Sequence, residues 1–247
     1  MKVLAINASP RIKNSHTSVI LSPFLDGMKA AGADVDLVHV KELDIKPCLG
    51  CWTCLLKTPM QCVQKDDMGE LFMKIFTTNI LVWATPVFYE GPTAQLKTIM
   101  DRTFAGAGLN PGYEIRDGHQ RLKLPVGFVP IKLALVSTCG YFEMDNFDTL
   151  LNWVKACERM GLFELVGALL RPHANIFHPI YKTKFNIDDI LQAANDAGRQ
   201  FISEGKIAKE TLSTVSRDIL TRDKYIQTMN QAFQGEIDKN KSGSVNA

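Results

Sequence analysis

The sequence predicts an α/β fold whose core is a doubly wound, five-stranded parallel sheet of order 2-1-3-4-5. Short, continuous apolar runs recur along the chain, and most are followed by a turn and then by a segment of helical periodicity. Strands of a parallel sheet are buried on both faces and therefore read as continuous apolar runs. The regular alternation favours right-handed helical crossovers, which place helices on both faces of the sheet.

The predicted elements account for most of the first 205 residues. Strands are expected at 3–6, 35–40, 80–84, 133–136 and 163–168. Helices are expected at 17–31, from about 68, at 93–104, at 145–160 and at 188–203. Residues 106–130 are rich in glycine and proline and are predicted to be a loop. We therefore predict a domain over 1–207, followed by a C-terminal extension over 208–247 with a helix near 219–233 and a polar tail.

Composition and charge narrow the function classes. The net charge of +2 gives no electrostatic case for nucleic acid or an anionic membrane as a partner. The apolar run at the N-terminus is too short for a signal peptide, and no apolar stretch is as long as a membrane span. These features predict a cytoplasmic protein in which thiols stay reduced.

Four of the six cysteines lie in one short stretch, at Cys48, Cys51, Cys54 and Cys62. Two residues separate each of the first three cysteines, so one loop can direct three thiolates at a common centre, and the fourth can close the far side. Closely spaced thiolates of this kind hold four-iron clusters. Zinc is the alternative metal, although its cysteine sites usually consist of two separated pairs. Unligated cysteines are the remaining alternative.

Hydroxyl groups follow the first predicted strand, at Ser9, Ser15 and Thr17, with Arg11 among them. Unpaired backbone N–H groups and the positive dipole end at the start of the next helix make an anion site. The loop lacks the glycine pattern of dinucleotide loops and the lysine pattern of triphosphate loops. These features indicate a phosphate site at the carboxyl edge of the sheet.

A second loop, Thr85-Pro-Val-Phe-Tyr-Glu-Gly91, leaves the same edge after the third strand. Its two aromatic residues are expected to flank a planar ring, and the backbone amides of residues 87–91 are expected to hydrogen-bond the polar edge of that ring. No Ser-His-Asp or paired-carboxylate pattern occurs, so we predict no catalytic side chain. This agrees with a protein whose cofactor carries the chemistry.

With these motifs and the segment Lys65-Asp-Asp-Met68, the chain resembles the NADPH-dependent FMN reductase-like branch of the flavodoxin superfamily, and more closely its iron-sulfur flavoproteins, over residues 1–205. The resemblance implies a flavodoxin-like fold, FMN and a [4Fe-4S] cluster. It implies that the phosphate is bound by Ser9, Arg11, Ser15, His16 and Thr17, with His16 acting through its backbone N–H. It implies that the ring is held by Pro86, Val87, Phe88, Tyr89, Gly91, Thr138, Cys139 and Gly140, and the cluster by Cys48, Cys51, Cys54 and Cys62.

These expectations together predict an electron-transfer flavoprotein or oxidoreductase with a redox partner protein or small-molecule acceptor, and with NAD(P)H as a candidate donor. Two alternatives remain open: a flavin-only NAD(P)H-dependent FMN or quinone reductase, and a zinc-clipped binding protein or thiol redox sensor. Because strand two lies on the far side of strand one from strand three, the cysteine loop is displaced from the ring loop. The apolar residues of the cysteine loop, Trp52, Leu55 and Leu56, are expected to be covered. We therefore predict a homodimer or homotetramer in which cluster and FMN from different subunits form the electron path.

Overall fold

The computed structural model of the protein describes residues 1–12, 14–105, 109–178 and 185–243, the side chains only as far as 239. The end of the predicted polar tail, residues 244–247, and the start of the predicted loop, 106–108, lie outside the described residues. Five strands form the main sheet: β1 (Lys2–Asn7), β2 (Asp34–His39), β3 (Ile80–Pro86), β6 (Ile131–Thr138) and β7 (Phe163–Arg171). They are parallel in the order β2-β1-β3-β6-β7.

Helices cover both faces of the main sheet, as doubly wound topology requires. The helices are α1 (His16–Ala30), α2 (Thr53–Leu56), α3 (Met68–Phe76), α4 (Ala94–Arg102), α5 (Asp148–Glu158), α6 (Asp188–Glu204), α7 (Lys209–Ser216) and α8 (Arg222–Gly243). Side chains alternate along β1, so that Val3 and Ala5 join the core beneath α1 and α6. Leu4 and Ile6 face the other way, into the core beneath α3, α4 and α5. The predicted fold class and strand order are confirmed.

The predicted loop over 106–130 is wrong in its middle part. Residues Asn110–Arg116 (β4) and His119–Lys123 (β5) form an antiparallel hairpin. Its two-residue turn is Asp117-Gly118, and both residues have positive φ, 49° and 75°. Asp-Gly is a preferred pair for a hairpin turn whose twist matches that of its strands. The high content of glycine and proline concealed this signal.

The C-terminal extension contains two helices where one was expected. Helix α7 packs on β7 and α6, and α8 is longer than the predicted helix. Val215 of α7 and Tyr225 and Met229 of α8 are buried in the core beneath α1. The extension therefore shares its core with the sheet, while the predicted boundary at 208 stays a prediction. Within the described part of the chain, no helix is long and apolar enough to cross a membrane.

Candidate functional site

The loop after β1 is shaped by its own polar side chains. Asn7 accepts a hydrogen bond from the Ser9 N–H at 3.0 Å and donates one to the Ser18 hydroxyl at 3.0 Å. Ser15 has extended φ and ψ and accepts from the Ser18 N–H at 3.2 Å, which makes it the N-cap of α1. The first N–H groups of a helix have no acceptor within the helix. This end of α1 therefore offers donors at the carboxyl edge of the sheet.

A cavity of about 140 Å³ lies at this edge and brings three of the predicted loops together. Of the predicted cofactor residues, Ser9, Arg11, His16, Thr17, Pro86, Val87, Phe88, Thr138, Cys139 and Gly140 line it. Ser15 caps α1 from outside the lining, and Tyr89 and Gly91 also lie outside it. The sequence did not indicate Pro10, Ala174 or Asn175, which line the cavity as well.

Hydrogen bonds between the loops fix the walls of this cavity. The hydroxyls of Thr17 and Thr138 are 2.9 Å apart and join the start of α1 to the end of β6. The Val87 N–H donates to the Thr138 carbonyl at 2.8 Å. Both threonines are buried. The cavity is therefore held in shape by the protein itself before any ligand binds.

His16 supplies a buried polar atom that has no partner among the described residues. Its Nε2 is shielded from solvent and makes no hydrogen bond to any of them. Burial, reinforced by the nearby charge of Arg11 and by His178, lowers the pKa of His16 to about 4. At neutral pH the ring is therefore uncharged, and Arg11 is the cation of the cavity lining. An unpaired buried nitrogen is costly unless something completes its hydrogen bonding.

The aromatic loop after β3 is a tight turn. Phe88 and Gly91 exchange backbone hydrogen bonds of 2.9 and 3.1 Å, with Tyr89 and Glu90 at positive φ between them. The Tyr89 side chain points into solvent, whereas half-exposed Phe88 lines the cavity. The N–H groups of Val87, Phe88 and Gly91 are all used within the protein. These three N–H groups already have acceptors in the protein, and the role of the amides of residues 87–91 at a ring stays a prediction.

The loops after β6 and β7 close the other side of the cavity. A Cβ added to Gly140 would lie 3.0 Å from Nδ2 of Asn175, so the cavity wall is tight at this point. The Gly140 carbonyl accepts a hydrogen bond of 2.5 Å from the Tyr225 hydroxyl on α8. Asn175 could have been anticipated from topology alone, because ligands of such folds lie outside the carboxyl ends of the strands, including β7.

The cysteine loop carries four free thiols, and none of them forms a disulfide. Cys48 and Cys51 are exposed, whereas Cys54 and Cys62 are half-buried. Burial, together with the nearby sulfurs of Cys62, Cys48 and Cys51, raises the pKa of Cys54. Cys48 and Cys54 border a cavity of about 290 Å³ that also reaches Trp52 and Phe104. Among the described residues, no three His, Cys, Asp or Glu side chains are grouped closely enough to hold one metal ion.

A buried ion pair ties the two ends of the cysteine loop to α4. Arg102 donates to both carboxylate oxygens of Asp66, at 2.7 and 2.9 Å, and to the Lys46 carbonyl at 2.7 Å. Asp66 in turn accepts from the Lys46 N–H at 3.0 Å and the Met68 N–H at 3.2 Å. Arg102 holds the pKa of Asp66 below its usual value. Residues 46 and 66, which flank the four cysteines, therefore meet on one guanidinium group. This bond set is named the loop clamp below.

Comparison with known proteins adds a family to this geometry. The model of the family described as NADPH-dependent FMN reductase matches residues 1–130, just over half of the chain. The chain belongs to this family. The match covers β1 to β5 and with them the loops after β1 and β3, the cysteine loop and the loop clamp. Within the FMN reductase family, the chain is similar to several iron-sulfur flavoproteins of archaea.

Three of these relatives show the extent of the similarity. An iron-sulfur flavoprotein of Archaeoglobus fulgidus is 40% identical over 102 residues, which is 41% of this chain and 45% of the relative. One from Methanocaldococcus jannaschii is 35% identical over 127 residues, which cover 51% of this chain and 62% of the relative. One from Methanosarcina thermophila is 32% identical over 103 residues, which cover 42% of this chain and 52% of the relative. The chain thus spans about half the length of the curated relatives it matches.

Solved structures support the fold of this FMN reductase family member. An NAD(P)H:quinone oxidoreductase from Methanothermobacter marburgensis superposes with a TM-score of 0.58 at 16% identity, over 81% of this chain and 96% of that one. An FMN-dependent NADH-azoreductase from Bacillus anthracis, solved in complex with FMN, superposes with a TM-score of 0.58 at 16% identity, over 82% of this chain and 97% of that one. At this level of identity the two structures bear on the fold alone.

Proposed function

We propose that the protein is a flavin-dependent oxidoreductase that binds FMN in the cavity at the carboxyl edge of the sheet and a [4Fe-4S] cluster on the cysteine loop. The observation that carries the proposal is the cavity itself, where the start of α1, Arg11 and the unpaired nitrogen of His16 meet the loops after β3, β6 and β7. The family match and the names of the relatives point in the same direction.

The residues present fit the phosphate of FMN. Helix N-termini bind anions through free N–H groups and the helix dipole, and Arg11 adds a planar donor fork. The neutral ring of His16 can donate a hydrogen bond from its unpaired Nε2, so that filling the cavity would remove the cost of that buried atom. We assign Ser9, Arg11, His16 and Thr17 to the phosphate, with Ser15 holding the helix start in place.

The isoalloxazine ring is assigned to the remaining lining of the cavity, with Phe88 as its apolar contact and Thr138, Cys139 and Gly140 as further contacts. Burial raises the pKa of the Cys139 thiol, so it faces the ring as a neutral group. Bound FMN would exchange one or two electrons, and a cluster one electron at a time. Tyr89, which points into solvent, is assigned to the rim of the site, where it would meet a substrate or a partner.

The donor set of the cysteine loop fits an iron–sulfur cluster. All four thiols are free, and their charges interact. A four-iron cluster takes one thiolate per iron, and these four closely spaced cysteines supply that number. We assign Cys48, Cys51, Cys54 and Cys62 as its ligands.

The electron path is proposed to cross between subunits. The N-terminal end of α4 meets the cavity edge, because the Thr93 hydroxyl donates to the Ala8 carbonyl. Arg102 of the loop clamp lies at the other end of the helix, roughly 13 Å away at 1.5 Å per residue. Leu49, Trp52 and Leu56 on the cysteine loop are exposed and apolar. A homodimer or homotetramer that buries them would bring the cysteine loop to a neighbour's flavin, with NAD(P)H as electron donor and a redox protein or small molecule as acceptor.

The test is a titration of flavin-free protein with FMN, followed by flavin fluorescence. Arg11→Ala should weaken binding by roughly 10- to 100-fold, because a hydrogen bond to a charged group contributes about 1.5–3 kcal/mol. Lys155→Ala is the matched control, since it removes the same charge from the exposed side of α5, outside the cavity lining. Equal FMN affinity in both variants would remove Arg11 from the site.

A further inference from the structure

The guanidinium group of the loop clamp has one donor that the clamp does not use. The two terminal nitrogens of Arg102 donate to the Asp66 carboxylate and to the Lys46 carbonyl. The remaining donor, Nε–H, is shielded from solvent and has no hydrogen-bond partner among the described residues. Because the side chain is only 2% exposed, bulk water does not reach this N–H either. A buried donor without a partner is costly, which points to a further group that completes it.

The surroundings of Arg102 include the two half-buried cysteines. Asp101, the residue before Arg102, borders the same cavity as Cys54. Helix α2, which carries Cys54, packs against the short helical turn that directly follows Arg102. On the other side, Asp66 and Cys62 line one further cavity of about 440 Å³. The unused donor therefore lies in a region that thiols of the cysteine loop enter from two directions.

Arg102 and Cys62 also interact electrostatically. The hydrogen bonds to Asp66 raise the pKa of Arg102 above its usual value, and the nearby thiol of Cys62 adds to this rise. Lys57, the cation within the cysteine loop itself, is exposed, so water and salt screen its charge. Charges removed from water interact several times more strongly. Arg102 is therefore far better placed than Lys57 to act on a sulfur of the loop.

A donor beside a ligand sulfur changes how readily a cluster is reduced. Hydrogen bonds to the sulfurs are among the means by which proteins set the reduction potential of iron–sulfur clusters. One-electron reduction adds one negative charge to the cluster and its thiolates, and it breaks no bond to the protein. An N–H group or a positive charge next to a sulfur favours the more negative form, so it raises the potential. A carboxylate close by has the opposite effect.

We propose that Arg102 tunes the iron–sulfur cluster, by donating its Nε–H to the sulfur of Cys62 and so raising the reduction potential. The inference rests on the proposed function, because it takes Cys62 as a cluster ligand. The guanidinium group then has two separate roles. Its terminal nitrogens hold the ends of the cysteine loop together, and its third donor makes the cluster a better electron acceptor than the four thiolates alone would make it.

The test is a reductive titration of cluster-loaded protein with dithionite and mediator dyes, in which electron paramagnetic resonance measures the reduced cluster. Arg102→Met should make one-electron reduction at least about tenfold less favourable, which is a fall of about 59 mV. Asp66→Asn breaks the same clamp but keeps Arg102 and removes a negative charge, so the potential should rise or stay unchanged. Lys57→Met is the matched control, because it removes an exposed positive charge from the loop, and it should change the reduction constant by less than about twofold.

The opposite effects of Arg102→Met and Asp66→Asn separate tuning from loosening of the loop. A fall in potential of the same size in both variants would overturn the inference, and so would an unchanged potential in Arg102→Met. If Arg102→Met does not retain its cluster, Arg102→Lys decides, because lysine keeps the positive charge beside Asp66 but has no Nε–H. Reduction that is at least about threefold less favourable in Arg102→Lys supports the inference, and an unchanged constant overturns it.

The same samples separate the failure of this inference from failure of the proposed function. Iron and sulfide in the native protein, with a potential that does not depend on Arg102, would leave the proposed cluster standing and overturn only the tuning. Native protein that holds no iron after purification without oxygen would overturn the inference and the proposed cluster together.

Discussion

Replacing Arg102 with methionine tests whether the loop clamp holds the cysteine loop in place. The side chains of Arg102 and Asp66 are 2% and 0% exposed, so this ion pair is fully removed from water. In Arg102→Met, the Asp66 carboxylate stays buried and keeps only the N–H groups of Lys46 and Met68 as donors. The Lys46 carbonyl loses its bond to Arg102.

The magnitude follows from the cost of an unpaired buried charge. Removing one partner of a buried pair costs about 3–5 kcal/mol. Because the N–H groups of Lys46 and Met68 still donate to the Asp66 carboxylate, we expect a loss near the lower end of this range, about 3 kcal/mol of unfolding free energy. For a chain of this size that corresponds to a fall in melting temperature of roughly 6–12 °C. The loss should be smaller in acid, because the lowered pKa of Asp66 contributes stability only above the unfolded value near 4, and that contribution is lost as the pH falls.

The assay is urea unfolding of iron-free protein, combined with the rate at which a thiol reagent labels Cys54 and Cys62. Both thiols should react faster in Arg102→Met, because the clamp no longer holds the loop ends. Lys97→Met is the matched control: it breaks an exposed pair with Asp101 on the same helix and should change stability by less than about 1 kcal/mol. The unfolding free energy of Arg102→Met at neutral pH could instead lie within about 0.5 kcal/mol of that of the native protein, which is close to the error of such measurements. In that case the loop clamp does not hold the cysteine loop in place.

Three further predictions concern the cluster, the acid stability and the assembly. Cys51→Ser should lose iron and keep FMN, whereas Cys157→Ser, a half-buried thiol on α5, should keep both; full iron content in Cys51→Ser would remove it as a ligand. Burial and the neighbouring Arg171 lower the pKa of His173 to about 3. The stability that the neutral ring contributes is therefore fully present above the unfolded pKa of 6.5 and is lost as the pH falls toward 3. His173→Asn, which tolerates the left-handed backbone at this position, should flatten this pH dependence of stability, and an unchanged dependence would contradict the assignment. Sedimentation should show an oligomer at micromolar concentration that Trp52→Glu dissociates and Ile115→Glu, on the exposed hairpin, does not; a native monomer would contradict the assembly.

The sheet could be predicted from sequence because its strands carry a strong local signal. Buried parallel strands carry continuous apolar runs, such as residues 80–84 of β3. The helices that follow the strands repeat their apolar residues every three to four positions. The hairpin β4–β5 was missed because its strands are largely exposed and polar, and only the Asp-Gly turn marks it. Helix α7 was missed because it is short and only Val215 is buried.

The candidate site was predictable as far as local motifs reach. Loops that follow strands carry their own turn residues, which is why Ser9, Arg11 and Phe88 could be placed at one edge. Asn175 could also be expected at this edge, because it follows the predicted strand β7. The hydrogen bond between Tyr225 of α8 and Gly140 joins residues 85 positions apart, and the sequence holds no local pattern for it. The loop clamp is of the same kind, since nothing near Arg102 in the sequence indicates that its partner is Asp66.

The visible spectrum and iron content of protein purified without oxygen test the central claim most directly. We predict flavin absorption bands over a broad cluster shoulder, with FMN released on denaturation and iron and sulfide in about four atoms each per chain, as a [4Fe-4S] cluster requires. Flavin without iron would contradict the cluster and favour a flavin-only reductase. A colourless protein that holds zinc would contradict both cofactors.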